Sequence, residues 1–153
     1  MRYQASARLA CTPLSVSASR MFETNQLAAW GIAPHDDAQG RLAAITLVTS
    51  ELAANAIKFA SQDIEISLVA HGVHVQIAVS DNNPQPARLQ QPGPETPGGR
   101  GLLLVDALAE RWGQDHHKNG KTVWAHLALP AGSILGPGCT LTLRGRLQPS
   151  TRP

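Results

Sequence analysis

The segment Glu51–Ala56 reads Glu-Leu-Ala-Ala-Asn-Ala and lies near the end of a long run with helical periodicity. Glu51 and Asn55 are four residues apart, so on a helix their polar ends project side by side. A carboxylate beside an amide is a candidate base beside a candidate metal ligand, although a solvated helix edge can carry the same pair. The core-facing positions of the run form one stripe, namely Leu42, Ile45, Thr49, Leu52, Ala56 and Phe59. That stripe predicts a helix that buries one face and carries Glu51 and Asn55 at the margin of the core.

Hydrophobic periodicity predicts the other elements around this helix. The predicted helices are 14–30, 37–60 and 102–112, and the predicted strands are 3–11, 64–68, 73–79, 114–120 and 121–129. Gly72 separates two strictly alternating runs, which indicates an antiparallel hairpin. Ser15 or Ser17 could cap the first helix, and Asp36 or Asp37 the second. We therefore predict an α+β fold, a two-layer sandwich in which helices cover one face of a mixed, mainly antiparallel sheet.

Composition narrows the class of protein. The 153 residues are 42% hydrophobic and 16% charged, which is typical of one folded domain with its own core. A formal charge of only +2, without a run of Lys or Arg, argues against direct nucleic-acid binding. The sequence has neither a long apolar span nor a signal pattern, so we expect a cytoplasmic protein without a membrane segment. We expect the domain to cover residues 1–130 and residues 131–153 to form a poorly ordered tail, because the tail is rich in Gly, Pro, Ser and Arg.

Polar or glycine-rich groups stand at the ends of several predicted elements. Asp81 closes the second strand of the hairpin, and a Pro-rich loop follows it. The loop ends in Gly98-Gly99-Arg100-Gly101, directly before a helix, where backbone amides can approach an anion. The spacing matches neither a Walker A loop nor the dinucleotide fingerprint. Each feature alone is ordinary turn chemistry.

The order of these features is more informative than any one of them. A helix with Glu-x-x-x-Asn, a hairpin that ends in Asp, a loop and then Gly-x-Gly before a helix resembles the histidine-kinase-like (GHKL, Bergerat-fold) ATPases. The chain is most similar to the small anti-sigma-factor serine/threonine kinases of that superfamily and to their actinobacterial regulatory relatives. The segments that carry the resemblance are 49–56, 79–84, 98–105, 111–113 and 120–124.

The resemblance implies a role for each matching residue. Asn55 matches the Mg²⁺ ligand, and Glu51 matches the general base that takes a proton from the attacking hydroxyl. Asp81 matches the residue that accepts a hydrogen bond from the adenine amino group. Asn83 stands where the adenine-binding segment of the family usually has glycine, and Thr122 matches a threonine near the adenine.

The phosphate-binding turn would follow the predicted ATP lid, which spans residues 85–98. Gly99, Arg100, Gly101 and Leu102 match this turn, through the Arg100 side chain and the amides of Gly101 and Leu102. The turn has fewer glycines than the fullest family pattern, and Phe59 replaces a residue that is commonly polar. These departures bear on turnover more than on nucleotide binding.

Two functions of different class follow from the resemblance. The first is an ATP- and Mg²⁺-dependent protein serine/threonine kinase and anti-sigma factor that phosphorylates an anti-anti-sigma (STAS-type) partner. The second is a non-catalytic, nucleotide-responsive module that sequesters a sigma factor or another regulator. Kinases of this family often form homodimers, and the sequence does not decide whether this chain does. A structural protein without a ligand is the third alternative.

Overall fold

The computed structural model describes residues 2–32, 37–87 and 101–133. This part of the chain contains five strands and three helices. In chain order they are β1 (Arg2–Leu9), α1 (Leu14–Ala29), α2 (Arg41–Phe59), β2 (Ile64–His71), β3 (His74–Asp81), α3 (Gly101–Leu108), β4 (Arg111–His117) and β5 (Gly120–Ala128). The predicted tail lies outside the described residues from position 134 onward.

The five strands form one open sheet in the order β1-β2-β3-β5-β4. Every strand pairing in the described residues is antiparallel. The alternate positions of β3 from Val75 to Asp81 point to the helices, and Val75, Ile77 and Val79 join apolar side chains of α2 in a single core. The structure thus confirms the predicted α+β sandwich, with a sheet that is antiparallel at each described pairing.

Helix α2 is the central element of the helical layer. It packs against β2, β3 and β5, with α1 and α3 beside it. The carboxylate of Asp37 accepts hydrogen bonds from the amides of Leu42 (2.8 Å) and Ala43 (3.2 Å), so it satisfies two of the amides that a helix start leaves free. Asp37 therefore caps this helix as predicted, although Gly40, with φ of +68°, occupies the N-cap position itself.

Helix α2 is also long and apolar enough, by length and composition alone, to cross a membrane. This corrects the expectation that no run of the sequence reaches that length. The buried face of α2 includes Ile45, Val48, Leu52 and Ala56, which belong to the same core as the sheet. A helix that supplies the core of a folded domain passes the same test of length and composition.

Several element ends differ from the sequence prediction, and helix α2 begins at Arg41, four positions after the predicted start. No side chain caps α1 at Pro13, and the Ser15 hydroxyl instead donates to the Ala10 carbonyl at 2.6 Å. Helix α3 ends at Leu108, not at residue 112, because the chain has already entered β4 at Arg111. Trp112 belongs to that strand, and its indole N–H donates to Asp106 on α3 at 2.8 Å.

Candidate functional site

Glu51 and Asn55 lie one turn apart on α2 and are both half-buried. Their neighbours Leu52, Ala53 and Ala56 are buried in the core, which fixes the rotation of the helix. Neither polar side chain makes a hydrogen bond to another residue of the described part of the chain. The margin of α2 therefore presents one carboxylate and one amide that no other described residue binds.

The Glu51 carboxylate lies against the first residue of α3. A Cβ atom built on Gly101 would be 2.8 Å from Oε2 of Glu51, which is closer than such atoms approach one another. Glycine at position 101 therefore leaves the space that the carboxylate occupies. The structure thus brings together Glu51 and Gly101 of the predicted phosphate-binding turn, two residues that are 50 positions apart in the sequence.

The remaining residues of this turn are described only in part. Gly99 and Arg100 lie outside the described residues, as does most of the predicted lid. Leu102 is buried in the core, so only its backbone amide is available to a ligand. That amide and the amide of Gly101 belong to the first turn of α3, where helix N–H groups lack intrahelical partners.

Asp81 ends β3 on the helix-covered face of the sheet and is paired with Lys121 of β5. The Lys121 ammonium lies 3.0 Å from each carboxylate oxygen, and both side chains are 1% exposed. The two residues are direct cross-strand neighbours. Removing two charges from water costs several kcal/mol for each ion, so each charge depends on the other for compensation.

Lys121 was not among the residues predicted for the site. A lysine in a polar-apolar alternation looks like a solvated strand residue, yet here it shares the inward parity of Val123 and Ala125. Gly120 permits this arrangement, because a Cβ atom at that position would collide with the carbonyl oxygen of Asp81. The inward parity of β5, counted back from its buried valine and alanine, is the signal that could have revealed it.

Asn83 supports the same pair through its backbone. Its amide donates to Oδ1 of Asp81 at 2.8 Å, and its carbonyl accepts from the Lys121 ammonium at 3.3 Å. Its side chain accepts a hydrogen bond from the amide of Gln85 at 3.0 Å. No non-glycine residue in the described part of the chain has a positive φ, so Asn83 does not need the backbone freedom of the glycine it replaces.

Thr122 is not brought to Asp81. Its hydroxyl lies 2.7 Å from that of Ser80 and 2.6 Å from Nε2 of His117. Because side chains alternate along a strand, Thr122 faces away from the helices when its neighbour Lys121 faces toward them. Lys121, and not Thr122, is therefore the residue beside Asp81. The role of Thr122 near the adenine stays a prediction.

A second buried acid lies outside the predicted site. Glu23 of α1 is 1% exposed, and it accepts hydrogen bonds from the hydroxyls of Thr46 on α2 (2.9 Å) and Thr24 (3.3 Å). Burial raises the pKa of Glu23 from 4.5 to about 6, although the two hydroxyls act in the opposite direction. No lysine or arginine pairs with this carboxylate among the described residues, in contrast to Asp81.

A magnesium ion at this site would need ligands beyond those that the described residues supply. The described residues contain no group of three or more His, Cys, Asp or Glu that could hold a metal ion. Asn55 offers one unused amide oxygen, and Mg²⁺ commonly takes one or two protein ligands and completes its octahedron with phosphate oxygens and water. The donor set therefore fits a metal ion that enters together with a phosphate ligand.

Comparisons with known proteins bear on the family and on the fold. Residues 9–127 match the model of the family described as the histidine kinase-like ATPase domain. The comparison with curated proteins gave no significant match. The fold is similar to the crystal structure of the RsbU and RsbW domains of Rv1364c from Mycobacterium tuberculosis, with a TM-score of 0.58 and 20% identity. The match covers 86% of this chain and 34% of that one.

The family match spans most of the chain, from the end of β1 through almost all of β5. It includes the helix with Glu51 and Asn55, the strand end with Asp81 and the start of α3. The protein therefore belongs to the histidine kinase-like ATPase domain family.

Proposed function

We propose that this protein binds Mg-ATP and transfers the γ-phosphoryl group to a serine or threonine of a protein partner. The observation that carries the proposal is the position of the Glu51 carboxylate against the start of α3, one turn from the unused amide of Asn55. An ATP phosphate chain that approaches the first turn of α3 would meet favourable amides and a positive helix end. A base must lie within reach of the hydroxyl that attacks the γ-phosphate.

Each residue of the proposed site has a limited task. The Asn55 amide oxygen would hold Mg²⁺, which neutralises charge on the phosphates when it is bound. Glu51 would accept the proton of the attacking hydroxyl, whose oxygen forms the new bond to phosphorus while the β–γ bridge bond breaks. ADP leaves with that bridging oxygen. Most of the rate enhancement in such a site comes from positioning and from charge stabilisation.

The partner and the setting are part of the same proposal. The sequence resemblance favours a STAS-type anti-anti-sigma protein as the phosphate acceptor and a role as an anti-sigma factor in transcription regulation. The likeness to a solved RsbW domain supports this interpretation at the level of the fold. We place the protein in the cytoplasm, where such regulators meet RNA polymerase sigma factors.

A second candidate is a module that senses nucleotide without transferring phosphate. The observation in its favour is the Asp81–Lys121 pair, because both side chains are 1% exposed and a base can reach them only when neighbouring groups move. In that case the protein would sequester its regulator, and nucleotide would only set its conformation.

Transfer of label from γ-labelled ATP to a panel of purified STAS-type proteins separates the two candidates. We expect the wild type to label one of them and Glu51→Gln to lower the rate at least about 100-fold with ATP affinity unchanged, because only the base is lost. Glu65→Gln is the matched control, since Glu65 lies on the helix-free face of the sheet, and it should keep the wild-type rate. A full rate of transfer in Glu51→Gln would contradict the assignment of Glu51 as the base. If the wild type labels no partner, only the binding-module candidate remains.

A further inference from the structure

The Asp81–Lys121 pair has hydrogen-bonding capacity that the described part of the chain does not use. Lys121 donates one N–H to Oδ1 of Asp81 at 3.0 Å and one to the Asn83 carbonyl at 3.3 Å. An ammonium has three N–H groups, so one remains. Oδ1 of Asp81 also accepts from the Asn83 amide at 2.8 Å.

The second carboxylate oxygen is in a different state. Oδ2 of Asp81 lies 3.0 Å from the ammonium, but it is completely buried and accepts no aligned hydrogen bond within the described structure. Buried polar atoms are nearly always satisfied, so an unsatisfied carboxylate oxygen needs an explanation. Here it lies beside the Lys121 ammonium, which has one N–H left after its two hydrogen bonds.

One acceptor and one donor thus lie side by side, 3.0 Å apart. Two parallel hydrogen bonds of ordinary length to adjacent ligand atoms require this kind of spacing. The complementary ligand edge carries a donor next to an acceptor. Adenine has such an edge in its exocyclic amino group and the neighbouring ring nitrogen N1, and this amidine-like pair would meet Oδ2 and the ammonium together.

We propose that Lys121 is a specificity-determining residue of the nucleotide site. Its ammonium donates to N1 of the adenine ring while Oδ2 of Asp81 accepts from the amino group. This inference rests on the proposed binding of ATP and adds a second base-recognising residue to it. In the same orientation a 6-oxo purine would place an acceptor against Oδ2 and a donor against the ammonium, and would be rejected by both groups.

The closed state of the pair sets a condition on binding. Both side chains are 1% exposed, so the base reaches them only when neighbouring groups move. Lys121 keeps its bond to Oδ1 and its bond to Asn83 during this step, because only the unused N–H and Oδ2 are needed. The charge of Asp81 therefore stays compensated while the base enters.

Nucleotide analogues test the inference in the wild-type protein. Calorimetric titration in Mg²⁺ would compare ATP, 1-deaza-ATP, 7-deaza-ATP and inorganic triphosphate. Loss of one hydrogen bond from a charged donor corresponds to roughly 10- to 100-fold in affinity. We expect this loss with 1-deaza-ATP, and an affinity for 7-deaza-ATP close to that for ATP. Equal affinity for ATP and 1-deaza-ATP, or a loss confined to 7-deaza-ATP, would overturn the inference.

The variant Lys121→Met tests the same contact from the protein side. It should weaken ATP about 10-fold or more, abolish the difference between ATP and 1-deaza-ATP and leave inorganic triphosphate unaffected. Lys118→Met, at an exposed turn, is the matched control and should behave as wild type. Tighter ATP binding in Lys121→Met would show that the lysine blocks the base, and an equal loss for all ligands would show a structural role only. Either result overturns the inference.

If Lys121→Met does not fold, the analogue series in the wild type decides the matter alone. Failure of the proposed function would look different from failure of this inference. If the wild type binds no adenine nucleotide at all, both are overturned. If it binds ATP through Asn55 but ignores the change at N1, the nucleotide site stands and only the role of Lys121 is lost.

Discussion

The two ends of the proposed site differ in how much of their bonding capacity the protein already uses. At the α2–α3 end, the side chains of Glu51 and Asn55 make no hydrogen bond to another described residue. At the β3–β5 end, Asp81 is held by a buried lysine and by the backbone of Asn83. The first end presents free groups to a ligand, whereas the second is largely preformed and closed. We infer that phosphate and metal drive binding and that the base end supplies selectivity.

The largest expected effect comes from breaking the closed end. Asp81→Ala should lower the free energy of unfolding by about 3–5 kcal/mol, because it leaves the Lys121 ammonium buried without a counter-charge. Chemical denaturation measures this quantity. Ser80→Ala, one residue away on the opposite face, is the control and should cost about 1 kcal/mol. If both variants lost the same stability, the ion pair would not be what holds this end closed.

A smaller effect is expected at Glu23, the other buried carboxylate. It sharpens the comparison because no lysine pairs with it among the described residues. The pKa of Glu23 is raised from 4.5 to about 6, so the folded state favours the protonated acid. The contribution of Glu23 to the free energy of unfolding is therefore fully present below about pH 4.5 and is lost as the pH rises through about 6. A shift of this size corresponds to about 2 kcal/mol.

Glu23→Gln removes that titration and keeps an acceptor for the Thr46 hydroxyl. We expect the free energy of unfolding of the variant, relative to that of the wild type, to rise by about 2 kcal/mol from pH 4.5 to pH 7. Denaturation at a series of pH values measures this change. Glu65→Gln is the control for loss of a carboxylate. A stability difference from wild type that does not change with pH would contradict the burial of an uncompensated acid.

The smallest effect is expected from a change at the open end. Gly101→Ala adds a methyl group where the Glu51 carboxylate lies, and this flexible carboxylate must turn away. Stability should change little, but displacement of the base should lower phosphoryl transfer about tenfold. Ala54→Gly on α2 is the control, which measures the effect of helix propensity alone. Gly132→Ala is unsuitable as a control, because φ at position 132 is positive. A wild-type rate of phosphoryl transfer in Gly101→Ala would show that the position of Glu51 against Gly101 does not matter for transfer.

The fold was largely predictable because its elements follow simple periods. The stripe of α2 and the strict alternation around Gly72 were recovered in the structure as a core helix and an antiparallel hairpin. The exception in the stripe is Phe59, which is 50% exposed. The end of α3 was wrong by four positions, since the apolar spacing of residues 102–112 suits a helix equally well on both sides of Leu108. The local sequence pattern does not show where the helix ends and the next strand begins.

The site was less predictable, for a physical reason. Glu51 and Gly101 come together only through the packing of α2 against α3, and family resemblance supplied that link in advance. Lys121 and Thr122 are adjacent, so a shift of one position exchanges a residue inside the domain for one on the opposite face of the sheet. A motif match fixes residue order, whereas the parity of a strand is fixed by its buried neighbours.

The central claim is that this domain binds Mg-ATP through Asn55 and reads the base through Asp81. Thermal unfolding with Mg-ATP and Mg-GTP, in wild type and in Asn55→Ala, tests it most directly. At 100 times the dissociation constant a ligand stabilises by about 2.7 kcal/mol, which is roughly 5–10 °C for a domain of this size. We predict that rise with Mg-ATP for the wild type, a far smaller one with Mg-GTP and none for Asn55→Ala, with exposed Asn25→Ala as control. An unchanged wild-type Tm in Mg-ATP, or an equal rise in Asn55→Ala, would contradict the account.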